Sequence, residues 1–293
     1  MRWAEVTLVT SSEAADAVTD ILLSERCGGV ASADPSSRVN GQVKQNLAAY
    51  FPVDERLPAT LDRIKGRVES LSDFGFSGNS PELTVKFVED EDWATAWKSF
   101  FKPLVVGKIV VKPTWEDFNP KLEQIIVELD PGMAFGTGNH PTTQMCLKAV
   151  QTYLHFGDTM LDVGTGSGIL AIAAALLGAL KVIGIDIDSI AVKAAIENVK
   201  TNGVEKIVEI TEADSPTAVD ISADLVTANI VASTIISMRE SLCAALKPGG
   251  ILIASGIIDE RRSEVENAIQ SAGMSLIETI CEGEWVTVIA RKN

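Results

Sequence analysis

Residues 161–172 read "LDVGTGSGILAI": the end of an apolar run, a glycine-rich turn, then a second apolar run. "TMLDV" (159–163) has the length of a strand buried on both faces, and "GILAIAAALLG" (168–178) has the length of a buried helix. A strand that hands over to a helix through G-x-G-x-G lets a ligand approach the main chain, because glycine carries no side chain to hold it off. The spacing is one residue short of the dinucleotide pattern G-x-G-x-x-G. No Lys or Arg lies in the turn, so the cation of a phosphate loop is missing.

Downstream, the strand candidates are "KVIGIDI", "KIVEIT", "ADLVTANI", "GILIASG", "SLIETI" and "EWVTVIAR". Helices such as "SIAVKAAIENVKTNG" and "STIISMRESLCAAL" fit between successive strands. Regular strand–helix alternation predicts a doubly wound parallel sheet with helices on both faces. Only "CEGE" separates the last two strands, which predicts a hairpin and an antiparallel final strand.

Upstream, "WAEVTLVT" (3–10) alternates as a half-buried strand does, and "SSEAADAVTDILLSERCGG" reads as a capped helix. "GGVASAD" and "NLAAYFPV" read as strands, "RLPATLDRIKGRVESL" as a helix and "ELTVKFVED" as a last strand. The order βαββαβ predicts a small α+β ferredoxin-like domain over residues 1–90. An interdomain linker is expected over 91–108, anchored by Trp93, Trp97, Phe100 and Phe101 at helical spacing. The large α/β domain then spans 109–293, with "KIVVKPTW" and "EQIIVELD" as strands leading to another glycine-rich turn, "LDPGMAFGTGNHPTT" (129–143).

With 293 residues and 46% hydrophobic content, the chain is long enough for two cores. The formal charge of −15 opposes non-specific nucleic-acid binding and favours a basic partner. Four scattered cysteines and two histidines, without a Cys-x-x-Cys pair, do not make a metal site. No signal peptide opens the chain, and the longest apolar run is too short for a bilayer span, so a soluble cytoplasmic protein is expected.

Asp186 ends the strand "VIGID", 22 residues beyond Gly164, where its carboxylate can accept hydrogen bonds from two ribose hydroxyls. Asp188 is placed at the cap of the next helix. An acid at the ribose with no base in the loop disfavours a 2′-phosphate, whereas a cationic sulfonium nucleoside, S-adenosylmethionine, meets such a pocket without conflict. An NAD-dependent oxidoreductase and a non-catalytic cofactor-binding scaffold on the ribosome are the alternatives.

"DVGTGSG" followed by "IGIDID" resembles the first two motifs of class I S-adenosylmethionine-dependent methyltransferases, a Rossmann-like fold with a seven-stranded sheet. "LDPGMAFGTGNHPTT", "VTANIVAS" and "EDWATAWKSFFKPLVVG" resemble the PrmA family, the methyltransferases of ribosomal protein eleven of the large subunit. That resemblance covers nearly the whole chain. It implies methyl transfer to lysine side-chain and N-terminal amines of that basic protein, with the small domain recognising the substrate. By position it implies cofactor contacts at Thr143, Gly164, Asp186 and Asn229. The acidic charge and the short apolar runs set the expectation of no direct nucleic-acid or membrane binding. The resemblance assigns no catalytic base; His140, the one titratable candidate in the first turn, reads as a structural residue holding that loop, with a general-base role left open. Base-methylating relatives carry an aromatic residue after the asparagine of the fourth strand, and here the residues are Asn229-Ile230-Val231-Ala232.

Overall fold

A computed structural model describes residues 2–11, 15–25, 27, 30–32, 37–39, 42–71, 82–89, 102–130 and 138–293. The chain divides into two compact units, Met1–Phe101 and Lys102–Asn293. The four aromatic residues expected to anchor the linker, and residues 131–137 of the first glycine-rich turn, lie outside the described residues.

In the first unit, β1 (Arg2–Ser11), α1 (Ala15–Ser24), β2 (Val30–Ser32), β3 (Ser37–Val39), β4 (Gln42–Pro52), α2 (Leu57–Ser70) and β5 (Glu82–Glu89) follow one another. The sheet runs β2-β4-β1-β5 with antiparallel neighbours, which is the ferredoxin-like order. Alternation in β1 turns Ala4, Val6 and Leu8 into a core with Val18 and Leu22 of α1 and Ile64 and Val68 of α2. The short β3 was not expected; among the described residues it pairs with β4 alone, and three residues are too few to show a period.

The second unit opens with a small sheet of β6 (Leu104–Val106), β7 (Ile109–Lys112) and β8 (Ile125–Glu128). β6 lies in residues read as linker and forms an antiparallel pair with β7. Helix α3 (Pro141–Tyr153) clamps that hairpin through Gln151, which accepts from the Lys108 amide at 2.7 Å and donates to the Val106 carbonyl at 3.0 Å. The other edge is closed by Asn202, whose amide accepts from Glu128 N at 2.8 Å and donates to Glu128 O at 2.7 Å. One side chain thus satisfies both backbone polar groups of an edge residue that would otherwise need a further strand.

The large sheet contains β9 (Thr159–Val163), β10 (Lys181–Asp186), β11 (Val208–Glu212), β12 (Ala223–Asn229), β13 (Leu246–Ile258), β14 (Met274–Glu282) and β15 (Trp285–Lys292). Their order is β11-β10-β9-β12-β13-β15-β14. The first five strands are parallel, and β15 lies antiparallel between β13 and β14, as the short "CEGE" link predicts. The connecting helices are α4 (Ile169–Leu176), α5 (Ser189–Thr201), α6 (Ala232–Ala245) and α7 (Arg262–Ser271). One apolar core holds residues of α3 and α4 and the other holds residues of α6 and α7, so the sheet is covered on both faces. Residues 169–175 of α4 are all buried, which explains a helix apolar on every side. Strand order reverses between β9 and β12, and ligands of open α/β sheets bind at the carboxyl ends of the strands there.

Candidate active site

The glycine turn sits at this switch point, held from three sides. The amides of Gly164 and Thr165 both donate to the Ile185 carbonyl at 2.9 Å. Asn198 of α5 donates to the Ser167 carbonyl at 2.8 Å. The amide of Gly166 donates to the Asp186 carboxylate at 2.9 Å, and the amide of Asp188 donates to its other oxygen at 3.0 Å. A carboxylate offers about four acceptor sites, so Asp186 keeps capacity for two more donors. Asp188 caps α5 by accepting from Ile190 N at 2.8 Å, the role expected of it.

Gly164 needs to be glycine for two reasons. Its φ is 70°, and a Cβ there would stand 2.3 Å from Cγ2 of Ile230. Ile230 follows Asn229 at the tip of β12, so the missing Cβ lets the fourth-strand mouth close against the turn. The Ile230 peptide is in turn seated on Gly256 (φ 80°), where a Cβ would lie 2.5 Å from the Ile230 carbonyl oxygen. The side-chain amide of Asn229 donates to Thr143 Oγ1 at 3.4 Å. Thr143 is only 1% exposed, in the first turn of α3. The four residues singled out from sequence therefore form two joined pairs, Thr143 with Asn229 and the glycine turn with Asp186, linked through Ile230.

His140 caps α3: its Nδ1 accepts from the Thr142 amide at 3.3 Å and lies 2.7 Å from Thr142 Oγ1. Its ring meets Trp285 edge-on with centroids 4.8 Å apart. The structural reading of this histidine accounts for those contacts. Ile187 and Val231, the residues after Asp186 and Ile230, are 73% and 63% exposed, which makes the two strand tips apolar.

Sequence reasoning passed over Asp162. Its carboxylate is 1% exposed and accepts from Thr165 Oγ1 at 2.7 Å and from Thr227 Oγ1 at 2.5 Å. Burial raises its pKa to about 6 despite those two hydroxyl donors, with the nearby Asp186 charge adding to the rise. The signal was an acid in an otherwise apolar central strand, a position where charge is costly. The folded state holds this proton more tightly than the unfolded chain, whose carboxyl titrates near 3.8. Stability from this group is therefore greatest below about pH 4 and is lost as pH rises through about 6. Two pKa units correspond to about 3 kcal/mol. Asp162→Asn is thus expected to melt at pH 7 no lower than the unmodified chain. Thermal melts from pH 7 to 5 should show the unmodified chain gaining on the variant as pH falls, and a gain in the other direction contradicts this assignment.

A parallel sheet of this order with an antiparallel seventh strand, a glycine turn at its switch point and an acid on the neighbouring tip is the fold of a class I methyltransferase. Within that class, the chain belongs to the family described as ribosomal protein L11 methyltransferase (PrmA), whose model matches residues 2–293. Among its relatives, the ribosomal protein L11 methyltransferase of Heliobacterium modesticaldum is 40% identical, over 100% of this chain and 98% of that one. That of Alkaliphilus oremlandii is 38% identical, over 99% of each chain. The crystal structure of ribosomal protein L11 methylase from Lactobacillus delbrueckii subsp. bulgaricus is similar with a TM-score of 0.62 and 34% identity, covering 66% of this chain and 100% of that one.

Proposed function

We propose that the chain transfers methyl groups from S-adenosylmethionine to amines of ribosomal protein L11, on lysine side chains and at the N-terminus. The observation that carries this reading is the Asp186 carboxylate, bonded to the glycine turn at the switch point and retaining acceptor capacity beside a loop without cations. Full-length family membership supports it over an oxidoreductase or a scaffold.

Thr143, Gly164, Asp186 and Asn229 are the residues assigned to hold the cofactor. When bound, S-adenosylmethionine supplies an electrophilic methyl group on a sulfonium. Asp186 serves the ribose hydroxyls, and the bare Gly164–Gly168 backbone permits close approach. The side-chain carbonyl of Asn229 has no partner among the described residues, because the amide nitrogen is the atom turned to Thr143. An incoming lysine must be neutral, against a reference pKa of roughly 10.4. The apolar side chains of Ile230 and Val231 at the mouth desolvate an amine and lower that value. They also offer no ring for a flat base to stack on, which favours an aliphatic amine. Positioning then carries the rate, and the proton leaves to water.

The ferredoxin-like segment 1–90 is assigned to substrate recognition, residues 91–108 to the link and 109–293 to methyl transfer. The charge of −15 suits a lysine-rich partner, and the activity belongs in the cytoplasm, with the ribosome. Purified chain incubated with methyl-labelled S-adenosylmethionine and isolated L11 should place label on the protein. Label found only in RNA, or in nothing, contradicts the proposal.

A further inference from the structure

Gly184, Asp162 and Thr227 stand side by side on β10, β9 and β12, the three strands that meet at the switch point. Thr165 covers this row from the glycine turn: a Cβ on Gly184 would lie 2.8 Å from its Oγ1. Thr165, Asp162 and Thr227 are all buried, and among the described residues no ion pair reaches the Asp162 carboxylate, whose side-chain partners are the two hydroxyls. A buried charge without a counter-ion is a poor device for stability. A carboxylate does one thing here that its neutral isostere does not. Being acceptor-only, it takes the protons of both hydroxyls at once, whereas an asparagine must donate toward one of them.

The two hydroxyls belong to the two halves of the site. Thr165 precedes Gly166, whose amide reaches Asp186, and Thr227 lies two residues before Asn229 on the same face of β12. We propose that Asp162 is a positioning residue for the methyl-transfer site, setting the spacing between the glycine turn and the fourth-strand mouth through Thr165 and Thr227. This rests on the functional reading above. It places Asp162 behind the pocket and gives it no contact with the cofactor.

The test compares Asp162→Asn, Thr227→Val and Thr227→Ser in the full chain. S-adenosylmethionine affinity is measured by calorimetry, and Michaelis constants are measured for the cofactor and for L11. Asp162→Asn and Thr227→Val are expected to weaken cofactor binding about tenfold, the cost of one charge-assisted hydrogen bond. Thr227→Ser, which keeps the hydroxyl, should stay within about threefold. The Michaelis constant for L11 should not move, and Asp162→Asn should lose affinity without a lower melting point. A general loosening of the fold would move all of these together. Affinity within threefold of the unmodified chain in both Asp162→Asn and Thr227→Val overturns the role, as does Thr227→Ser as weak as Thr227→Val. Should Asp162→Asn fail to fold, the two Thr227 variants decide, because they leave the carboxylate in place. An unmodified chain that binds no S-adenosylmethionine overturns the functional reading and the role together; normal binding with unaltered variants overturns the role alone.

Discussion

Asp186→Ala is expected to raise the dissociation constant for S-adenosylmethionine at least about a hundredfold and to abolish methyl transfer at ordinary cofactor concentrations. Two hydrogen bonds from ribose hydroxyls to an ionised carboxylate contribute about 1.5–3 kcal/mol each, and about 1.4 kcal/mol is tenfold in affinity. The same substitution removes the acceptor that holds the Gly166 amide at 2.9 Å, so the turn loses an anchor at the point where the ligand must approach. Asp186 is only partly buried and the freed amides can turn to water, so the melting point of the unliganded chain should change little. Calorimetric titration beside a thermal melt checks both halves. Unchanged affinity removes Asp186 from the site.

Gly164→Ala should be as damaging to activity, but through the fold of the turn. An L-residue at φ 70° costs about 1–2 kcal/mol, and the added methyl would stand 2.3 Å from Ile230 Cγ2. Something must move, and the candidates are the glycine turn and the strand mouth that carries Asn229. A loss of about 2–4 kcal/mol in stability is expected, with cofactor binding too weak to titrate. The backbone strain and the clash are separable. Adding Ile230→Ala to Gly164→Ala should return part of the lost stability, because the pair share one space and their effects do not add. A double variant less stable than Gly164→Ala by the full cost of Ile230→Ala alone contradicts this packing.

Much of the architecture was legible because local pattern and global fold agree. Alternation in β1 (residues 3–10), the apolar run of α4, the strand–helix rhythm after residue 158 and the short "CEGE" link each predict the element found there. The Asp188 cap was likewise a local signal. What was hidden depends on pairing across the chain. β3 and β6 are three residues long and exist as strands only through β4 and β7. Asn202 and Gln151 read as ordinary helix residues until they meet Glu128 and the β6–β7 hairpin. Asp162 sat inside a quoted motif, yet only the alignment of β9 with β12 brings Thr227 to it. The 22-residue spacing from Gly164 marked Asp186 as the strand-end acid, and the structure bonds it to Gly166 of the turn, whereas the joining of Thr143 to Asn229 crosses 86 residues of chain.

The most direct test of the account is a crystal of the chain soaked with S-adenosylmethionine. The prediction is density at the carboxyl ends of β9, β10 and β12, with both ribose hydroxyls within hydrogen-bonding distance of Asp186 and the sulfonium beside the Gly164–Gly168 backbone. Cofactor density anywhere else, with that crevice filled by the chain's own side chains, would contradict it.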